Sequence, residues 1–430
     1  MSITENNYIY ALHDAGGEAL LAGQGWVIIT EDIGRDPYNS HGANYSAISA
    51  QGLTVVSRLN NGYGSTGTIP EPQYYRDFAV RCGNFVQASQ GCNIWVIGNE
   101  PNLEAEWPNG NPIFPGDYAA CYKLCRNEIR KRPGHGQDLV LVAGPGPWNA
   151  SVKYATNPTG DWVQYLQDQI WGVQKFDDVD GVALHTYTHG HDPQLIRSTE
   201  TMAPPFQNRH YHFWAYKDFL NGLRAMNFLD KPIYITETNG NDKNWTGGNN
   251  GWVREAYKDI NAWNVQNPKQ VIRCLTLFRW RKDQLGYSIE DQPAVQADFK
   301  EAVQKGFTWP DKLTPPPPPS QDMALAYARQ TATHLQAATA SNQQTINALE
   351  DINNGEQALT YALNTAAHLT AATESNDKTL AILGQNGGNP EALQQARQTA
   401  IHLEAATTTN NNTIAVLTDK KPLVTKYYRP

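Results

Sequence analysis

Up to residue 313 the sequence alternates eight times between a short apolar, β-rich run and a longer stretch of helical periodicity. Strands are predicted near Tyr8–Leu12, Trp26–Thr30, Leu53–Leu59, Ile94–Gly98, Leu139–Ala143, Gly181–His185, Pro232–Thr236 and Ile272–Phe278. The helical stretches between them include Tyr74–Ala88, Asp117–Arg132, Asp161–Gln174, His210–Met226 and Gly251–Val265, with Ala297–Gly306 after the last strand. Most of the apolar runs lack strict alternation, which suits a parallel sheet covered on both faces. Eight such units predict a (β/α)8 TIM barrel over residues 1–313, an α/β fold. The competing arrangement, an open doubly wound sheet, predicts a glycine-rich phosphate turn after the first strand. His13-Asp-Ala-Gly-Gly17 does not have the GxGxxG spacing.

The barrel region ends at a change of composition. Thr314-Pro-Pro-Pro-Pro-Pro-Ser320 predicts a stiff polyproline II linker over 314–320, and all twelve tryptophans precede it. Beyond it one unit occurs three times with a period of 34 residues, marked by His334-Leu335, His368-Leu369 and His402-Leu403, each leading into Ala-Ala-Thr. Within each unit a 3-4-3-4 spacing predicts a heptad seam. Leu325, Ala328, Ala332, Leu335, Thr339, Asn342, Ile346 and Leu349 form the first, Leu359, Ala362, Ala366, Leu369, Thr373, Asn376, Leu380 and Leu383 the second, and Leu393, Ala396, Ala400, Leu403, Thr407, Asn410, Ile414 and Leu417 the third. The turn-forming joints at 353–356 and 386–391 suit antiparallel neighbours, so a small all-α three-helix bundle is expected over 321–420, with a tail at 421–430. The tetratricopeptide signature is absent. The three asparagines are expected to fix register.

Composition narrows the function classes. A net charge of −8 offers no basic field for a phosphate backbone, so no nucleic-acid partner is expected. No run approaches the roughly 18 apolar residues of a membrane span. The residues Met1–Asn7 show neither a basic region nor an apolar one of secretory type, so a cytoplasmic product is the default expectation. The polyproline linker would suit an extracellular or cell-surface protein equally. The five cysteines show no metal-ligand spacing and predict buried thiols rather than a disulfide framework.

Two carboxylates carry the chemistry. Asn93-Ile-Trp-Val-Ile-Gly-Asn-Glu-Pro-Asn102 and Pro232-Ile-Tyr-Ile-Thr-Glu-Thr-Asn-Gly240 each deliver a glutamate at the end of an apolar run, Glu100 after the fourth strand and Glu237 after the seventh. Barrels of this class keep their chemistry at the C-terminal ends of the strands. A pair of carboxyls held there on rigid scaffold is what glycosidic-bond hydrolysis needs.

Asn99-Glu100-Pro101 together with Glu237 resembles the clan A retaining glycoside hydrolases over roughly residues 7–309, without pointing to one family of that clan. The resemblance implies Glu100 as general acid/base, Glu237 as nucleophile and Asn99 on the sugar 2-hydroxyl. His185-Thr-Tyr187 also resembles the clan's sixth-strand pattern, with His185 facing the sugar. A retaining nucleophile must stay ionised, for which Arg58 and Tyr187 are the candidate donors. Trp280 is the expected floor under the sugar ring. Trp107, Trp148, Trp245 and Tyr63 fall on loops that follow strands, and several flat apolar faces around one mouth predict an oligo- or polysaccharide substrate. Asp14, Glu31 and Asp32 would bind hydroxyls or cap helices.

The expected activity is therefore retaining hydrolysis of β-glycosidic bonds, with no cofactor and no metal. Two alternatives stand beside it. One is a carbohydrate-binding barrel that has lost catalysis. The other is a zinc-dependent hydrolase built on His185, His189 and His191. The helical segment is expected to dock to a cell-envelope, glycan or protein partner, or to self-associate.

Overall fold

A computed structural model of the chain describes residues 5–173, 178–245, 250–309, 321–350, 390–418 and scattered helical positions between 362 and 380. The chain divides into two units, Met1–Leu313 and Thr314–Pro430.

The first unit is a closed parallel barrel of eight strands in sequence order. They are β1 (Tyr10–His13), β2 (Trp26–Asp32), β3 (Thr54–Asn60), β4 (Ile94–Ile97), β5 (Leu139–Ala143), β6 (Val182–His185), β7 (Ile233–Thr238) and β8 (Ile272–Leu277). β8 closes the ring on β1 through Tyr10↔Leu275. Strands covered on both faces do not alternate, and β1, β3, β4, β6 and β7 are buried at every residue.

Full helices follow only six of the strands. β1 leads into a single 3-10 turn at Glu18–Leu20, and β2 into the one-turn α1 (Ser46–Ser49). The rest are α2 (Tyr75–Ala88), α3 (Pro115–Arg130), α4 (Trp162–Gly172), α5 (Ala215–Ala225), α6 (Trp252–Gln266) and α7 (Pro293–Val303). Local chemistry sets their starts: Pro115 and Pro293 sit at first helical positions, and the Asp161 carboxylate caps α4 by accepting from Val163 N–H. Buried tyrosines fasten helices to strand ends. Tyr118 of α3 donates to Ile97 O and accepts from Ala143 N–H, and Tyr257 of α6 donates to Leu275 O. Each such ring adds about 1.5–3 kcal/mol of burial while its hydroxyl stays satisfied. All five cysteines are buried and free.

The β6–β7 pairing positions the site. Leu184 pairs with Ile235, but His185 pairs with Glu237, so β7 carries one extra residue there. That bulge brings His185 and Glu237 side by side, where unbroken register would set His185 against Thr236.

In the second unit, helices run over Gln321–Glu350 and Pro390–Thr418. Ala338, Leu369, Ala372 and Leu403 form one buried cluster with Leu335 against it, so all three repeats contribute to one core. The expected heptad frame holds in part. Ala362, Leu369, Asn376, Ala396, Leu403 and Asn410 are buried as predicted. In the first repeat the seam is displaced by one residue: Thr331, Ala338, Ser341 and Thr345 are buried, while Ala328, Ala332, Thr339, Asn342, Ile346 and Leu349 are exposed. In the second, Thr365, Ala372 and Thr379 are buried too, one residue before the expected positions 366, 373 and 380. Short Thr, Ser and Ala side chains leave the apolar contrast between neighbouring stripes small, so the burial pattern is weakly written there. Asn376 and Asn410 donate to Ala396 O and Ala362 O, crossing between repeats, whereas the exposed Asn342 has no such role. The linker, the joint at 353–356 and the tail lie outside the described residues. No helix among the described residues is long and apolar enough to cross a membrane.

Candidate active site

The C-terminal ends of the strands converge on Arg58 and the two glutamates. Glu237, in β7 and 8% exposed, accepts from Arg58 Nη2 at 2.6 Å on Oε1 and from the Tyr187 hydroxyl at 2.9 Å on Oε2. Burial alone would push its carboxyl up. His185 and Arg58, the latter also through its hydrogen bond, outweigh that and bring it down to about 2, so it is ionised at neutral pH. Glu100 lies just past β4 with φ of 29°. His185 stands between the two, its Nδ1 2.7 Å from Glu100 Oε1 and its Nε2 3.8 Å from Glu237 Oε1. Behind Glu100 is Gly146, where a Cβ would come within 3.0 Å of the carboxyl carbon.

Arg58 is the hub. Nη2 also lies 2.7 Å from His13 Nε2, and Nη1 donates to Asn99 Oδ1. A guanidinium only donates, so His13 Nε2 must accept and its proton must sit on Nδ1, which faces Asp14 Oδ1 at 3.0 Å. Burial, with Arg58 adding to it, pulls His13 below its ordinary value, so the ring is neutral. Arg279 holds Asp14 bidentately at 2.6 and 2.7 Å. Against the cost of burial, Arg279 and His13 keep that carboxyl well below the usual carboxylate range. The chain Arg279–Asp14–His13–Arg58–Glu237 is thus continuous. Asp14, expected to bind a sugar hydroxyl, instead has both oxygens engaged and is 8% exposed, so it anchors His13.

Asn99 is held from both sides. Its Oδ1 faces Arg58 and its Nδ2 donates to Glu106 Oε1 at 2.9 Å. Glu106 is 6% exposed, and burial pushes its carboxyl up to about 8, reinforced by Glu100 and Glu237 and opposed by Asn99 and Arg58.

The aromatic residues divide into two groups. Trp280 is half-buried, its indole laid on the Gly16–Gly17 turn so closely that a Cβ on either glycine would come within 2.8 Å of the ring. Gly16 also has φ of 112°, which glycine alone adopts cheaply. Trp148, half-buried with φ of 62°, lies 6.3 Å from the Tyr187 ring and donates to His210 O. Tyr63 is 47% exposed, but its hydroxyl end is pushed up to about 12 by burial, with Arg58 opposing and Glu106 and Glu237 reinforcing. Trp107 and Trp245, also expected at the substrate, are 7% and 3% exposed and donate to Pro101 O and Tyr287 O. They pack the loops rather than offer a face to a ligand. A tryptophan on a loop looks alike in sequence whether it points out or in.

His185, His189 and His191 go to different partners. His185 meets the glutamates, His189 stacks on Tyr211 at 4.0 Å, and His191 stacks on Trp245 at 4.3 Å. Among the described residues no three His, Cys, Asp or Glu side chains are grouped to hold a metal ion. Glu31 accepts from Tyr45 at 2.9 Å, and Asp32 is exposed at the end of β2. Sequence reasoning missed His13, Glu106 and Arg279. His13 ends β1 just as His185 ends β6, and that parallel position was the available signal.

No family model matches the sequence, and no curated protein does. Among solved structures, the chain is similar to a fungal β-1,4-galactanase at 15% identity and a TM-score of 0.37, covering 65% of this chain and 89% of that one. A broad-specificity endoglucanase from Clostridium acetobutylicum is similar at 12% identity and a TM-score of 0.38, over 69% of this chain and 96% of that one. The catalytic domain of an endo-β-1,4-mannanase from a Bacillus species is similar at 11% and 0.37, over 69% and 86%. At these identities and TM-scores the similarity carries no weight for function, which rests on the site's own geometry.

Proposed function

We propose that the chain is a retaining β-glycoside hydrolase acting on an oligo- or polysaccharide. The observation that carries this reading is the unequal treatment of two carboxyls on either side of His185. Glu237 receives two donors and stays ionised, whereas the Glu100 carboxyl meets only the His185 imidazole among the described residues and is left to handle a proton. In the first step Glu237 attacks the anomeric carbon and Glu100 gives a proton to the departing glycosidic oxygen, so a glycosyl-enzyme ester forms as the C–O bond breaks. In the second step Glu100 takes a proton from water as that water attacks the same carbon and releases Glu237. Asn99 would hold the sugar 2-hydroxyl, where contacts strengthen in the transition state. Trp280 supports the ring, and Tyr63 and Trp148 border it.

The reading is tested with a panel of β-linked glycans and the variants Glu100→Gln and Glu237→Gln. Expected are hydrolysis of at least one glycan, release of the β-anomer first by proton NMR, and loss of about 10³-fold or more in kcat for Glu237→Gln. Binding without turnover would favour a silent carbohydrate-binding barrel, and release of the α-anomer would exclude the double displacement.

For the second unit the same reading includes a three-helix bundle over 321–420 that attaches the barrel to a cell-envelope, glycan or protein partner. The shared cluster of Ala338, Leu369, Ala372 and Leu403 supports the bundle. Light scattering of the full chain tests attachment against self-association: a monomer fits the first, a concentration-dependent oligomer the second.

A further inference from the structure

Asn99 is the residue through which the hydrolase reading places contact with the 2-hydroxyl, yet nothing in an asparagine decides which end of its amide faces the sugar. Here two neighbours decide it. Arg58 can only donate, so the atom facing it is Oδ1, and Nδ2 must face Glu106. Of the two Nδ2 hydrogens one is engaged by Glu106 Oε1, and the other is the amide's remaining donor.

The turn that carries Glu106 is itself stapled to Asn99. Glu106 O accepts from Thr68 N–H at 2.9 Å, and the Thr68 hydroxyl accepts from Asn99 N–H. Leu103 N–H donates to Glu100 O and Glu106 N–H to Leu103 O, so the backbone from Glu100 to Glu106 folds back on itself. The Glu106 Oε2 atom is buried with no partner in the described structure. With Oε1 accepting from Asn99 and no donor facing Oε2, burial disfavours the charged carboxylate, in line with its raised titration. The charged and titratable groups facing it are Arg58, Tyr63, Glu100 and Glu237.

Resting on the hydrolase reading, we infer that Glu106 is a positioning residue that acts through Asn99: its Oε1 fixes the amide so that an N–H, not a carbonyl, is offered to the substrate's 2-hydroxyl. Glu106 itself does not touch the substrate. With Glu106 removed, only the Arg58 contact on Oδ1 still holds the amide, and the hydroxyl meets a less firmly oriented donor.

The test uses the full chain and pairs two substrates, the aryl β-glycoside that the wild-type protein cleaves fastest and its 2-deoxy counterpart. Glu106→Ala is expected to lose about 10²-fold in kcat/KM on the hydroxylated substrate and less than about threefold on the 2-deoxy one, because the second has no hydroxyl for the amide to hold. Glu106→Gln keeps an acceptor on Nδ2 of Asn99 and is expected within about threefold of wild type on both. Equal loss on both substrates, or a Glu106→Gln variant as slow as Glu106→Ala, would overturn the inference in favour of a merely structural carboxyl. Glu237→Gln serves as the control for the underlying reading. If it is inactive while Glu106→Ala behaves as wild type, only the Glu106 role fails. If it hydrolyses normally, the hydrolase mechanism fails and the Glu106 role with it.

Discussion

Arg58 donates to Glu237 at 2.6 Å from a guanidinium that is 2% exposed, and the same nitrogen leans on His13. A buried cation in direct contact with the carboxylate stabilises the ionised form over the neutral one, which is what a nucleophile requires. Arg58→Met removes that charge while keeping much of the volume. The Glu237 carboxyl then rises from about 2. Since the ionised form is the active one, the acid limb of kcat/KM should move to higher pH. A fall in kcat of about 10²–10³-fold should accompany it. The pH–rate profile of the variant checks both, and an acid limb left in place would contradict the role given to Arg58.

Glycine at 146 has a steric reason. It carries no positive φ, so alanine suits the backbone, but the added Cβ meets the Glu100 carboxyl at 3.0–3.2 Å. The carboxyl is the movable partner. Gly146→Ala is therefore expected to displace the acid and lower kcat about tenfold or more, with a thermal midpoint near that of the wild type. Calorimetry beside initial rates separates the two effects, and an unchanged kcat would show that Glu100 tolerates the shift.

Glu106 has a pH signature in stability as well as in rate. Its folded value of about 8 lies above its ordinary 4.5. Between those values the unfolded chain is ionised while the folded chain holds the proton, so this group erodes stability as pH rises from 4.5 to 8. Glu106→Gln escapes that loss. Its Tm relative to wild type should climb by roughly 3 °C or more between pH 5 and pH 8.5. A difference that is flat with pH would mean the carboxyl titrates normally in the folded protein.

In the helical unit, equivalent asparagines should behave unequally. Asn376 donates to Ala396 O at 2.9 Å from a buried position, while Asn342 is exposed. Asn376→Ala removes a buried hydrogen bond between repeats and leaves a small void, and should cost about 1–3 kcal/mol, while Asn342→Ala should stay within about 0.5 kcal/mol. Chemical denaturation of the two variants checks this, and equal effects would contradict the displaced seam of the first repeat.

The barrel was legible because a parallel sheet covered on both faces writes itself as apolar runs, and strand ends are where the site collects. That logic placed Glu100, Glu237, Arg58, Asn99, His185 and Tyr187 at one mouth. It did not reach Glu106, which enters through a fold-back of the β4–α3 loop that leaves no periodic trace. Asp14 was misplaced because a carboxylate after a strand looks the same whether it meets a sugar or Arg279, some 265 residues away in sequence. The β6–β7 bulge that aligns His185 with Glu237 is equally invisible, since one extra residue in a strand changes no composition.

The central claim is that Glu237 becomes covalently bonded to the sugar. Incubating the protein with 2-deoxy-2-fluoro-β-glycosyl fluorides of several sugars traps such an ester, because the fluorine slows its breakdown. Intact mass spectrometry followed by peptide mapping should find a single adduct of one fluoroglycosyl unit on the peptide containing Glu237, absent from Glu237→Gln. An adduct on another residue, or none with any fluoroglycoside in a protein that hydrolyses the parent glycan, would contradict the account.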